Sequence, residues 1–162
     1  MAVDPNVSRS ILETELALVR PLAETYGWTI ETEMDRLRFT VRLRSAVDHE
    51  EYILEFTCDD YKERPPYVEF IDPVTGERGV ASAYPRNGNS YFNPTPFICA
   101  QFNRKAYSEH GGPHGDWAML SWQQLRPEFS LLGDMIHLIQ RLVDNPQVYH
   151  GRMAPLRARE AS

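Results

Sequence analysis

The chain has 162 residues, 25% charged and 42% apolar, the ordinary make-up of a globular domain long enough to bury a core. Its net charge of −6 argues against general affinity for nucleic acid or acidic membranes, since either would need a basic footprint. No run approaches a membrane span, the N-terminus lacks a basic-then-apolar leader, and two cysteines make no disulfide framework, so one cytoplasmic domain is expected.

The first expected element is a helix. Ser10 and Glu13 fit a capping box, and Leu12, Leu16, Val19 and Ala23 then fall on one face at helical spacing. Pro21 is expected to kink this helix or end its regular part, and Tyr26-Gly27 to form its exit. A meander follows. Leu37, Phe39, Val41 and Leu43 alternate with Arg36, Arg38, Arg42 and Arg44, a period-two strand with one buried face. Tyr52, Leu54, Phe56 and Cys58 repeat the pattern, and Val68 with Phe70 repeats it again. Trp28 to Glu33 is a weaker strand, whose Glu31 and Glu33 could face the arginines across a sheet. The short spacings favour antiparallel pairing of all four.

From Asp72 to Asp116 the pattern dissolves into Gly, Pro, Asn and Ser with scattered aromatics. So long an irregular stretch inside a compact domain reads as functional, wrapped over the sheet. A helix is expected from about Pro127, burying Leu131, Leu132, Met135, Leu138, Ile139 and Leu142 and leaving His137 exposed. Arg152, Arg157 and Arg159 then read as a short solvated tail.

Cys99 stands out. It follows the proline-punctuated turn Asn93-Pro94-Thr95-Pro96 in the apolar run Phe97-Ile98-Cys99-Ala100, a setting that suits a nucleophile presented by a scaffold. A buried structural thiol is the plain alternative, and it is the reading given to Cys58, which continues an inward-facing series. Asn93, before Pro94, is either a turn residue or an amide donor for an oxyanion. His110, His114 and Asp116 allow three readings. They are an exposed glycine-rich loop, an acid/base or gating group beside Cys99, or a His-x₃-His metal site completed by Asp116.

The order of these features resembles the ubiquitin-conjugating enzyme family. The resemblance covers about residues 8–147 and is sharpest at Tyr61-x-x-x-Pro65-Pro66-x-Val68-x-Phe70 and Ile98-Cys99, with a tryptophan and a helix closing in Asn145-Pro146. It implies an α+β fold: an N-terminal helix, a four-stranded antiparallel meander, an irregular active-site segment and a helix packed on the sheet. It also implies that Cys99 accepts a ubiquitin-like modifier as a thioester from an activating enzyme and passes it to an amine on a protein substrate. No small cofactor is needed at that step. Asn93 would stabilise the oxyanion, His110, His114 or Asp116 would assist transfer, and the polar face of the first helix (Arg9, Glu13, Arg20) would dock the activating enzyme.

The chain departs from the family's pattern around Cys99 and at its C-terminal end. Tyr91-Phe92-Asn93-Pro94 stands where a His-Pro-Asn tripeptide is usual, and the segments on both sides of Cys99 are long. The family's further C-terminal helices are absent. These departures suggest a divergent, bacterial-type member of the kind found in conjugation cassettes linked to phage defence. The rival readings are a catalytically inactive binding or adapter module of the same fold and, further off, a metal-dependent hydrolase using the His110–Asp116 loop.

Overall fold

The computed structural model describes residues 2–87, 91–109 and 118–157, with Asn87 and Asn93 described by backbone alone. It is an α+β domain in which a four-stranded antiparallel sheet is flanked by an N-terminal and a C-terminal helix.

Helix α1 (Pro5–Tyr26) begins ahead of the expected Ser10–Glu13 box. Asp4 is its true cap, accepting from the Asn6 amide at 2.8 Å, and Pro5 fills the first turn, where a missing N–H is harmless. Pro21 lies inside α1 and does not end it. The carbonyl it leaves without a donor is that of Ala17, an exposed residue, so water can satisfy it. Gly27 closes the helix at φ 74°, a left-handed conformation that glycine adopts without penalty.

Strands β1 (Thr29–Glu33), β2 (Arg38–Arg44), β3 (Glu51–Thr57) and β4 (Tyr67–Ile71) pair in chain order, each antiparallel to the next. The register sets Glu33 opposite Arg38, but Glu31 opposite Thr40. Leu37 is not part of β2. It takes a left-handed φ of 52° after a short 3₁₀ turn, so the strand starts one residue later than the alternation suggests.

One face of the sheet buries Phe39, Val41, Tyr52, Leu54, Phe56 and Phe70 in a core shared with Leu12, Leu16 and Val19 of α1 and with Met135, Ile136 and Ile139 of the C-terminal helix. Each such side chain contributes about 1.5–3 kcal/mol when removed from water. The other face is partly covered too. Glu55 and Glu69 sit directly across from one another on β3 and β4, both buried. Arg78, from the loop after β4, folds back and binds Glu55 through both carboxylate oxygens at 3.1 and 2.5 Å. Burial raises the pKa of Glu69 despite the cations near it.

The expected irregular stretch contains short elements. They are β5 (Pro85–Asn87), the small hairpin β6 (Phe92–Asn93) and β7 (Phe97–Ile98), and the one-turn helix α2 (Arg104–Ser108). After α3 (Trp122–Leu125) the expected helix from Pro127 is broken. Pro127–Phe129 is an isolated 3₁₀ turn, and α4 (Leu132–Asp144) starts only after Leu131, which is exposed rather than part of the buried stripe. The α4 stripe is also broader than expected, taking in Ile136 and Gln140. His137 is half-buried, its ring paired with the Tyr26 hydroxyl at 3.0 Å.

No side chain of its own caps α4. Glu15, buried on α1, does so from outside: its carboxylate accepts from the Leu132 amide at 2.9 Å, from the Tyr61 hydroxyl at 2.9 Å and from Lys62 at 3.1 Å. One carboxylate thus joins α1, the loop before β4 and the N-terminus of α4, where the helix dipole favours negative charge. Beyond α4, Tyr149–Arg152 forms β8, which pairs with β5, so this part of the expected tail belongs to the folded body. No helix among the described residues is long and apolar enough to cross a membrane.

Candidate functional site

Cys99 immediately follows β7. Its amide donates to the Tyr91 carbonyl at 2.7 Å, which extends the β6–β7 ladder by one pair and fixes the backbone that carries the thiol. The side chain belongs to a small cluster with Phe97 and Ala106, apart from the main core, and the residue is 9% exposed. Burial alone pushes the Cys99 thiol pKa above its usual value.

The residue that holds this segment in place is Asn103, which the sequence did not mark out. Its Nδ2 donates to the Ile98 carbonyl at 2.8 Å, while its Oδ1 accepts from the Val68 amide at 2.9 Å and the Lys105 amide at 3.1 Å. A single buried amide therefore joins the peptide beside Cys99 to the start of β4 and caps α2. The Pro65-Pro66 pair gains a structural reason from the same contact region, since the Pro66 carbonyl accepts the Arg104 amide at 2.9 Å.

Arg104 completes the attachment. Its guanidinium bonds Asp59 Oδ1 at 2.6 Å and the carbonyls of Thr57 and Asp59 at 3.2 and 3.1 Å, fixing α2 to the end of β3. Tyr107 donates its hydroxyl to the Gln101 carbonyl at 2.8 Å. Gln101 itself is buried, and among the described residues its Nε2 has no hydrogen-bond partner. In sequence, Asn103, Arg104 and Gln101 read as ordinary polar residues of the irregular stretch.

Of the expected site residues, Asn93 is brought near Cys99 by its backbone: it pairs with Phe97 in the β6–β7 register. Its side chain, and His110, His114 and Asp116, lie outside the described residues. Among the described residues no group of three or more His, Cys, Asp or Glu could hold a metal ion. Cys58 is where the strand pattern puts it, fully buried just after β3, with burial driving its thiol pKa far above the usual range.

What this arrangement can do chemically is bounded by the thiol. A raised pKa leaves little thiolate at neutral pH, but the thiolate that forms is intrinsically more nucleophilic, and its acyl thioester has a poorer leaving group. The sequence matches no protein-family model, and a search of curated proteins returns no match.

Proposed function

We propose that the protein is a ubiquitin-like-protein conjugating enzyme of the same fold as the ubiquitin-conjugating family, working through Cys99. The observation that carries the reading is the contrast in how the chain treats its two thiols. Cys58 is sealed in the main core, whereas Cys99 sits at the rim of a separate small cluster on a backbone anchored by Asn103. The order of elements leading to it, α1, a four-strand antiparallel meander and a hairpin, agrees with the resemblance in the sequence.

In this reading the Cys99 thiolate attacks the modifier's C-terminal thioester on an activating enzyme. The carbon–sulfur bond to the activating enzyme breaks, that enzyme leaves as a thiolate, and the acyl group rests on Cys99. An acceptor amine then attacks the new thioester, Cys99 leaves as thiolate, and the amine's proton is lost to solvent or a nearby base. Asn93 is the side-chain amide assigned to the tetrahedral oxyanion; removing such a donor costs on the order of 10²–10³ in rate. His110, His114 and Asp116 are the proposed acid/base groups.

The test bypasses the unknown activating enzyme by supplying a ubiquitin-like protein as a C-terminal mercaptoethanesulfonate thioester. The expected product is a reductant-sensitive adduct that disappears in Cys99→Ala, persists in Cys58→Ala and becomes a reductant-resistant ester in Cys99→Ser. The limited exposure of Cys99, 9%, favours one other reading, a non-catalytic adapter of the same fold. That reading gains if Cys99→Ala leaves partner binding and cellular function intact.

A further inference from the structure

At the end of the sheet away from Cys99, an open cleft of about 540 Å³ lies where β2 turns into β3. Cys99 is tied through Asn103 to Val68 at the start of β4, whereas this cleft lies past the end of β4, at Pro73 and Val74. Arg42, Arg44 and His49 line it from the hairpin, and Arg152 reaches it from β8.

The charge balance of the cleft is unusual for this chain. Three guanidinium groups meet two carboxylates, Glu50 and Glu51, on a protein whose net charge is −6. Glu51 is shared: Arg42 bonds one of its oxygens at 3.0 Å and Arg44 the other at 2.7 Å, and these arginines hold its carboxyl below the usual carboxylate range. Two five-donor forks on one acceptor leave N–H groups over, and the Arg44 side chain is 61% exposed. Arg152 is the opposite case. Its side chain is 5% exposed, stacked over the Tyr52 ring at 4.4 Å, and bonded to the Ser82 carbonyl at 2.8 Å and the Glu51 carbonyl at 2.5 Å. Glu50 accepts from it at 3.2 Å, yet its Nε is buried without a hydrogen-bond partner among the described residues. A buried, charged donor left unspent is costly unless something else occupies it.

We propose that this cleft binds a phosphate-bearing small molecule of nucleotide size. Arg42 and Arg44 would grip its anionic end, since a planar guanidinium matches phosphate oxygens two at a time, and the buried Arg152 would add its charge from beneath. Pro73, Val74 and Leu156 supply an apolar wall for the rest of the molecule. The volume exceeds what a lone anion needs and falls within the range of small-molecule sites. This site is independent of the chemistry assigned to Cys99.

The experiment is calorimetric titration of the full chain, at low and constant ionic strength, with ADP, pyrophosphate and adenosine. ADP is expected to bind, with adenosine weaker by about tenfold or more because the anion supplies most of the recognition. Arg44→Gln and Arg42→Gln should each weaken ADP about tenfold while Arg64→Gln, an exposed residue on the loop before β4, leaves ADP binding unchanged. The exposure of Arg44 means that its variant keeps the fold, which thermal unfolding checks. Backbone amide shifts on adding ADP should cluster at His49, Glu51 and Val74. Pyrophosphate binding as tightly as ADP would support the anion site and overturn the role given to the apolar wall. Absence of binding at millimolar ADP and pyrophosphate, binding indifferent to Arg44→Gln, or shifts clustered elsewhere would each overturn the proposal.

Discussion

Cys58 and Cys99 carry the same thiol into two different settings. Cys58 follows a core strand, donates its amide to the Leu37 carbonyl at 2.7 Å and is wholly enclosed in the main core. The Arg104 charge nearby does not overcome the burial that keeps it protonated. Cys99 follows a two-residue strand of a small hairpin, packs with Phe97 and Ala106 in its cluster, and is 9% exposed. The difference is one of enclosure: the main core seals Cys58 completely, while the smaller cluster leaves Cys99 a residual exposure. The second setting is built by backbone ties, chiefly those of Asn103, rather than by activating charges.

The largest expected effect is in labelling. In the native protein iodoacetamide should modify Cys99 at least about 10³-fold faster than Cys58, because reaching Cys58 requires opening the core at a cost of about 5 kcal/mol or more. Peptide mass mapping over time measures the ratio, and equal rates would break the comparison. Next in size is Glu15→Ala, which strands the Tyr61 hydroxyl, the Lys62 ammonium and the Leu132 amide together. It should lower stability by about 3–5 kcal/mol in urea unfolding and speed Cys58 labelling, since the Tyr61 amide bonds the Cys58 carbonyl at 3.2 Å.

Asn103→Ala sharpens the other side of the comparison. Leaving the Ile98 carbonyl and the Val68 amide unpaired should cost about 1–3 kcal/mol, and Cys99 labelling should accelerate under conditions where Cys58 stays protected. The smallest effect is on pH dependence. A cysteine in the unfolded chain ionises near 8.5, roughly the reference value, while folded Cys58 stays protonated well beyond it. The folded state therefore binds more protons above that pH. Its contribution to stability is intact below about pH 8.5 and declines by about 1.4 kcal/mol per unit as pH rises towards 10. Above that, Tyr61 and Tyr84, whose pKa values burial also raises, add to the decline. Cys58→Ala should flatten the slope between pH 8.5 and 10, roughly the two unfolded-chain reference values for cysteine and tyrosine.

The parts of this fold that were readable in the sequence are those where burial is periodic. Strand β2 buries every second residue, and although β3 and β4 are covered on both faces their apolar residues still alternate, so Phe39, Val41, Leu54, Phe56 and Val68 announce the sheet and its inner face. Local signals misled where two were in competition. Ser10 and Glu13 mimic a cap, but Asp4-Pro5 upstream offers both a side-chain acceptor and a proline suited to the first turn, and α1 starts there. Strand β8, Tyr-His-Gly-Arg, has no alternation to read; it exists because β5 supplies a partner from far away in the chain. At the candidate site the cysteine was legible and its supports were not. Asn103, Arg104 and Glu15 look like surface residues until the fold brings backbone carbonyls and amides to them, and such long-range polar partnerships leave no periodic trace.

The most direct measurement is intact-mass analysis of the chain after exposure to a ubiquitin-like protein thioester, read with and without reductant. The account predicts one covalent modifier per chain, joined at Cys99, released by thiol and absent from Cys99→Ala. A chain that stays unmodified while remaining folded, or one whose adduct survives in Cys99→Ala, would contradict it.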